Sequence, residues 1–502
     1  MNGEHRHVNP WIVAIAVMIS TFMEVLDTTV VNVSLPHIAG SLSASIEEAT
    51  WVLTSYLVAN AIILPITGWL ANYFGRKRLL MMSVTGFTAA SFLCGFAPTL
   101  PLLIFFRIVQ GAAGGALQPL SQAVLLEAFP AEQRGKAMGF WGLGIVVAPI
   151  LGPVLGGWLT DSYSWRWVFY INIPVGIGSL LMTRAYVFDP AYIRRQAGGV
   201  DWWGIGVLAL GIGALQVMLD KGQQEDWFSS NWIVALLIVS IASLAAFVLW
   251  ELRARAPVVN LRVFLDRSFA TGTFLMTMLG FVLYGSLVLL PIWLQTLLGY
   301  PSLEAGVALA PRGLGSFLAM PLVGAMLAKA DPRKFLASGL VIASLTLFRF
   351  GQLNLNAGYW DFFWPQFIQG ISLAFLFVPL TTITMGHVAR EQMGNATSIF
   401  NLLRNTGGSI GIAAVTTLTS RFQQVHINRL GEHVTIYSPN VWHGFGTSSK
   451  GVAQLFGMVQ RQAAILSYLD VFWLLGAIFL ALVPLVFLTR KPAKAAGPIA
   501  AH

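Results

Sequence analysis

Apolar residues run in stretches of about twenty along nearly the whole chain, broken by short turns rich in charge, glycine and proline. A helix needs about 20 mostly apolar residues to cross the hydrocarbon of a bilayer, so the pattern predicts membrane-spanning helices. Fourteen spans are expected, at about 11–34, 49–71, 79–97, 101–123, 137–159, 167–187, 203–220, 231–250, 268–291, 303–328, 333–353, 361–386, 395–419 and 466–488. The seventh is short and ends at Asp220. A polar stretch over 421–464 separates the last two and reads as a long loop, within which Gln454–Ile465 fits a short amphipathic helix.

The exceptions to the apolar pattern are more informative than the pattern. Glu24 and Asp27 sit inside the first span, three residues apart, so a helix places them on one face. A carboxylate near the bilayer centre costs roughly 2.5–3.5 kcal/mol on insertion scales. Low dielectric and mutual repulsion disfavour two bare charges there, which favours a bound proton and points to a proton site in a carrier. Arg107 lies inside the fourth span, and Asp27 or Glu24 is its expected partner. Arg404 in span 13 is a further candidate for a central role, with Arg312 and Arg349 also in apolar sequence. Arg349 is close enough to a span end to snorkel. Glu127, ending span 4, reads as a helix-end charge or as part of the inner mouth.

An internal repeat links the two ends of the chain. Arg107, Gln110 and Gly111, followed by Pro119-Leu120, match Gln366, Gln369 and Gly370, followed by Pro379-Leu380. Gly135 and Gly152 match Gly394 and Gly411 at the same offset of about 259. The expected organisation is a six-helix half over 1–195, two inserted transmembrane helices over 196–262, and a second six-helix half over 263–502 that includes the 421–464 loop. Duplicated halves of this kind build rocking secondary transporters, with substrate held between them near the midplane.

Composition narrows the class. Of 502 residues, 56% are hydrophobic and only 10% charged, where a soluble protein carries about a quarter charged. The net charge of +9 is not gathered into a nucleic-acid patch. It falls mainly in the even-numbered turns and at the termini, as in Arg76-Lys77-Arg78, Arg134, Lys136, Arg194-Arg195, Arg253, Arg255, Lys329, Arg333, Arg490, Lys491 and Lys494. Arg166, Lys221, Arg421, Arg429, Lys450 and Arg461 fall on the opposite side, mostly in the long loop. That bias predicts both termini in the cytoplasm. A single cysteine, Cys94, excludes an internal disulfide and a cysteine metal site, and the eight His show no ligand spacing. No enzyme, cofactor or metal centre is expected. The first apolar run is too long for a signal peptide and has no small-residue cleavage site after it.

Several motifs point further. Gly68–Arg78, Leu103–Gly111 and Ala148–Gly157 resemble the loop 2–3, helix 4 and helix 5 signatures of the major facilitator superfamily. Leu26–Pro36 and Trp165–Pro174 are similar to motifs of its fourteen-helix drug:proton antiporters, the EmrB/QacA type. The resemblance runs nearly end to end. It implies an all-α polytopic major facilitator fold exporting hydrophobic or amphipathic drugs against protons across the bacterial inner membrane. It also implies a periplasmic membrane-fusion adaptor (EmrA-like) and an outer-membrane channel (TolC-like) as partners. Export of one metabolite, such as an aromatic acid or a siderophore, stays open.

On this resemblance Asp27, Glu24 and Arg107 couple protons, while Gly68, Gly75, Arg76, Pro149, Gly152, Pro153 and Gly156 form gate and hinge. The family has Asp where this chain has Asn72, which removes one acidic partner for the basic turn. Candidate substrate-cavity residues are Asn32, Tyr56, Asn60, Gln118, Gln122, Tyr284, Trp293, Gln295, Gln366, Gln369, Phe400, Asn401 and Arg404, whose amide and aromatic groups suit flat amphipathic molecules.

Overall fold

A computed structural model describes residues 9–130, 133–189, 201–254, 257–327, 330–434 and 449–489. Arg194, Arg195, Arg255, Lys329, Arg490, Lys491 and Lys494 of the topology reading lie outside these, as does 435–448 of the expected loop. Fourteen helical spans follow in order: α1 Pro10–Ser41, α2 Ile46–Phe74, α3 Arg76–Phe96, α4 Leu100–Ala128, α5 Arg134–Ser162, α6 Trp167–Tyr186, α7 Trp202–Lys221, α8 Asn231–Arg253, α9 Arg267–Thr296, α10 Ser302–Met326, α11 Pro332–Phe350, α12 Tyr359–Met385, α13 Met393–Glu432 and α14 Ser449–Val486. Twelve are long and apolar enough to cross a membrane on length and composition alone. The other two, α11 and α13, carry more polar residues, among them Arg333, Lys334 and Arg349 on α11 and Asn401, Arg404 and Asn405 on α13.

Local signals set many helix ends. Ser45 and Glu48 form a capping box at the start of α2. Asp201, Asp266 and Asp331 cap α7, α9 and α11. Gly75 ends α2 at φ +87°, a left-handed turn that glycine takes without steric cost, so α3 starts at the next residue.

The packing repeats itself. In one half α1 packs on α5 and α6, α2 on α4, and α3 on α4 and α6; eight helices later α9 packs on α13 and α14, α10 on α12, and α11 on α12 and α14. The halves meet along two seams, α2 against α13 and α5 against α10, which the same symmetry relates. The inserted helices pack on each other, and α7 also lies against α2 and α13.

The expected loop over 421–464 is corrected. α13 runs on to Glu432 and α14 starts at Ser449, so most of that polar stretch is helix. Polarity alone argued for a loop, but α13 continues through the helix-compatible run Arg421–Glu432 and α14 already begins at Ser449.

Candidate functional site

Helix α1 brings both carboxylates to the centre, and both are buried. It is seated by close approach to α5: a Cβ on Gly152 would run into Thr29 Oγ1, and one on Gly156 would lie 2.7 Å from the Val30 carbonyl oxygen. Pro149 and Pro153 lie inside the same stretch of α5.

Asp27 is the core of a polar cluster within the first half. Arg107 Nη1 donates to Asp27 Oδ2 at 2.6 Å, and Gln110 Nε2 and Asn172 Nδ2 donate to Oδ1 at 3.1 and 2.7 Å. Arg107 also donates from Nε to the Val52 carbonyl, and its guanidinium lies 4.1 Å from the centroid of the Tyr56 ring. Asn172 donates as well to Ser91 Oγ at 3.0 Å. Three donors, one of them a cation, converge on the buried Asp27 carboxylate. Arg107 thus finds the partner expected from sequence.

Glu24 belongs to a different cluster, one that crosses between the halves. It accepts from Asn60 Nδ2 at 3.0 Å and from Gln118 Nε2 at 2.5 Å. The carbonyl end of Gln118 accepts from Arg404 on α13, so one amide joins a carboxylate of the first half to a guanidinium of the second. Alongside, Asn401 Nδ2 donates to Gln122 Oε1 at 2.6 Å. A break in α4 after Gly114 separates the two duties of that helix, with Arg107 before it and Gln118 after it.

The remaining candidates divide. Phe400 is buried beside the crossing. Gln366 and Gln369 instead accept from the buried Arg312, an arrangement internal to the second half. Arg312 sits where Tyr56 sits in the first half, since Gly370 meets its carbonyl as Gly111 meets that of Tyr56. Trp293 packs among Phe362, Tyr468 and Phe472. Tyr284 lies against Gly408. Asn32 and Gln295 are exposed, away from the central cluster. Gln110 and Asn172 were missed as site residues, although both stand in the quoted motifs. An amide three residues from Arg107, on the same helix face, was the available signal.

On the side of the Arg76 turn the seams close through glycine. A Cβ on Gly68 of α2 would lie 2.7 Å from Asn395 Cα at the start of α13. Its symmetry mate is Gly324 of α10, where a Cβ would lie 2.7 Å from the Gly135 carbonyl oxygen of α5. Arg76 forms a buried ion pair with Glu127, which is therefore more than a helix-end charge. An acidic side chain does reach the basic turn: Asp189 Oδ1 accepts from the Lys77 backbone N–H at 2.8 Å.

The inserted α7 straps one seam. On the α2 side Thr54 donates to Asp220, Lys221 Nζ donates to Thr50 Oγ1 at 2.5 Å, and Lys221 lies 5.2 Å from the Trp51 ring centroid. On the α13 side Gln216 bonds Ser409 at 3.0 Å, and Trp227, beyond the end of α7, donates to Thr417 at 2.9 Å. Charge-assisted bonds are roughly twice as strong as neutral ones, so α7 is expected to move with α2. In a Cys94→Ser background, a short thiol crosslinker between Gln216→Cys and Ser409→Cys is expected to cut transport at least fivefold. The same crosslinker between Thr54→Cys and Asp220→Cys is expected to leave more than half. The reverse result would put α7 with the other half.

A family model described as the Major Facilitator Superfamily matches residues 17–412. The chain is 40% identical over 491 residues to "Multidrug export protein EmrB" of Haemophilus influenzae, covering 96% of each. It is 39% identical to "Fatty acid resistance protein FarB" of Neisseria gonorrhoeae, covering 97% of each. It is 37% identical to the Escherichia coli K12 "Multidrug export protein EmrB", covering 97% of this chain and 96% of that one. Among solved structures, a double Trp mutant of XylE superposes with a TM-score of 0.64 at 14% identity, covering 97% of each chain. The human organic anion transporter MFSD10 gives 0.60 at 12% identity, covering 94% of this chain and 99% of that one.

Proposed function

The chain belongs to the EmrB-type branch of the major facilitator superfamily, a secondary transporter and not an enzyme, and from that premise we propose that it exports lipophilic drugs in exchange for protons. The observation that carries the coupling is the chain Glu24–Gln118–Arg404, which runs from a carboxylate of one half to a guanidinium of the other.

While Glu24 is an anion it orients Gln118, and Gln118 holds Arg404, so the halves are drawn together at their centre. A proton arriving at Glu24 removes the negative charge and loosens that link. Asp27 supplies the fixed counter-charge for Arg107, and a proton can enter there only if Arg107 lets go. Drug occupies the space between the halves when they part, lined by Asn60, Gln118, Gln122, Phe400, Asn401 and Arg404. The proton gradient is the only energy source this scheme needs, with no cofactor.

Residence in the bacterial inner membrane, with both termini cytoplasmic, agrees with the bias of basic residues toward the even-numbered turns. The long ends of α13 and α14 are where a periplasmic adaptor, and beyond it an outer-membrane channel, would connect.

The test is reconstitution in proteoliposomes with an imposed pH gradient and a lipophilic fluorescent drug. The expected result is drug movement that follows the gradient and stops when an ionophore collapses it, with counterflow of protons on drug addition. Drug movement indifferent to the gradient would overturn the proposal. A second reading, export of one amphipathic acid, draws on the Arg404 Nη1 group, which is buried without a hydrogen-bond partner among the described residues. A panel of cationic, neutral and acidic amphiphiles separates the two, since the narrow exporter would move only acids.

A further inference from the structure

A groove of about 450 Å³ opens on the outer surface of the second half, between α11 and α12. Ile342, Leu345, Thr346 and Arg349 form its α11 wall, at the spacing of one helix face, and Trp364, Pro365 and Ile368 form its α12 wall. Its position on the chain places it toward the end of α11 remote from the Arg76 turn, so it faces one leaflet of the bilayer. The walls offer a polar guest little beyond the Trp364 indole N–H. The Thr346 hydroxyl is already used on the Ala343 carbonyl at 2.8 Å, and Pro365 has no N–H. At the mouth stands Arg349, exposed in the last turn of α11.

We propose that this groove binds an anionic phospholipid of that leaflet, one acyl chain lying along Ile342, Leu345 and Ile368 and the phosphate resting on Arg349. The largely apolar walls argue for a chain rather than a drug, most of whose polar groups would be left unpaired inside. The chain itself gains little over its place in the bilayer, because lipid tails are as apolar as the groove. The headgroup charge therefore decides which lipid stays. One Arg near a membrane surface corresponds to about fivefold enrichment of an anionic over a zwitterionic lipid.

The experiment is native mass spectrometry of protein delipidated stepwise in detergent, then offered phosphatidylglycerol or phosphatidylcholine. The unaltered protein is expected to retain one phosphatidylglycerol more than Arg349→Gln, at about fivefold preference over phosphatidylcholine. Leu345→Trp, which fills the groove and leaves the charge, is expected to lose the same lipid. Equal retention of the two lipids, or unchanged preference in Arg349→Gln, would overturn the proposal. So would competition by inorganic phosphate alone, which would mean a headgroup site without a chain. Displacement of the lipid by a transported dye, with dye export falling in Arg349→Gln, would mean a drug site and sink it too.

Discussion

Asp27→Asn is expected to abolish proton-coupled transport and to destabilise the protein by about 3–5 kcal/mol, the cost of leaving one partner of a buried ion pair behind. The stranded charge is Arg107, fully buried and left with only amide, carbonyl and ring contacts. Asp27→Asn combined with Arg107→Gln removes both charges, and most of the lost stability is expected to return while transport stays absent. That split separates coupling from folding. The lone cysteine makes the stability measurement direct. Cys94 is buried next to Gln110, so a thiol-reactive fluorogenic dye reads unfolding in detergent without added labels. Full transport by Asp27→Asn would end the coupling role of this residue. Glu24→Gln is expected to behave differently. Its partners are amides, so it strands no cation in direct contact, and it is expected to fold normally, bind drug and lose proton-driven export.

Alanine at Gly68 or Gly324 is expected to prevent closure on the side of the Arg76 turn. Each new Cβ would meet backbone of the opposite half at 2.7 Å, and backbone cannot rotate away as a flexible side chain can. Overpacking of this kind costs about 1–3 kcal/mol, which corresponds to a roughly 5–150-fold shift between two states. The measurement is modification of a buried reporter, Thr397→Cys in a Cys94→Ser background, by a maleimide applied from that side. Labelling is expected to accelerate at least fivefold in both variants and transport to fall by a similar factor. Gly157→Ala is the control, since a Cβ there meets nothing within 4 Å. Unchanged labelling at Gly68→Ala and Gly324→Ala would mean that these crossings do not form the closed seam.

Much of this was legible in the sequence. Span number followed from apolar runs, because a bilayer sets helix length so rigidly. That Arg107 pairs with a carboxylate of α1 followed from the cost of burying either charge alone, which left Asp27 and Glu24 both open. The link of Arg404 to Glu24 did not, because it passes through an amide: Gln118 carries no charge, and nothing in its neighbourhood on the chain points to a residue 286 positions away. Gln366 and Gln369 read as cavity residues because their amides suit amphipathic molecules and their span repeats span 4. In the second half the guanidinium instead comes from Arg312 on another helix, so the repeat keeps the place of the charge and changes its source. Gly324 went unread because its only role is to be small at a crossing whose partner lies far along the chain.

The amide of Gln118 has two unlike ends, and both are in use. Its NH2 faces Glu24 because an ionised carboxylate can only accept, which leaves the carbonyl for Arg404. Once Glu24 carries a proton it has an O–H to give, which the amide can meet only with its carbonyl, in competition with the NH2 bond that the remaining C=O of Glu24 can still accept. Turning over to do so would present NH2 to the guanidinium, donor against donor. Where the amide turns over, a single proton reverses the polarity of one side chain and converts the grip between the two halves into a push.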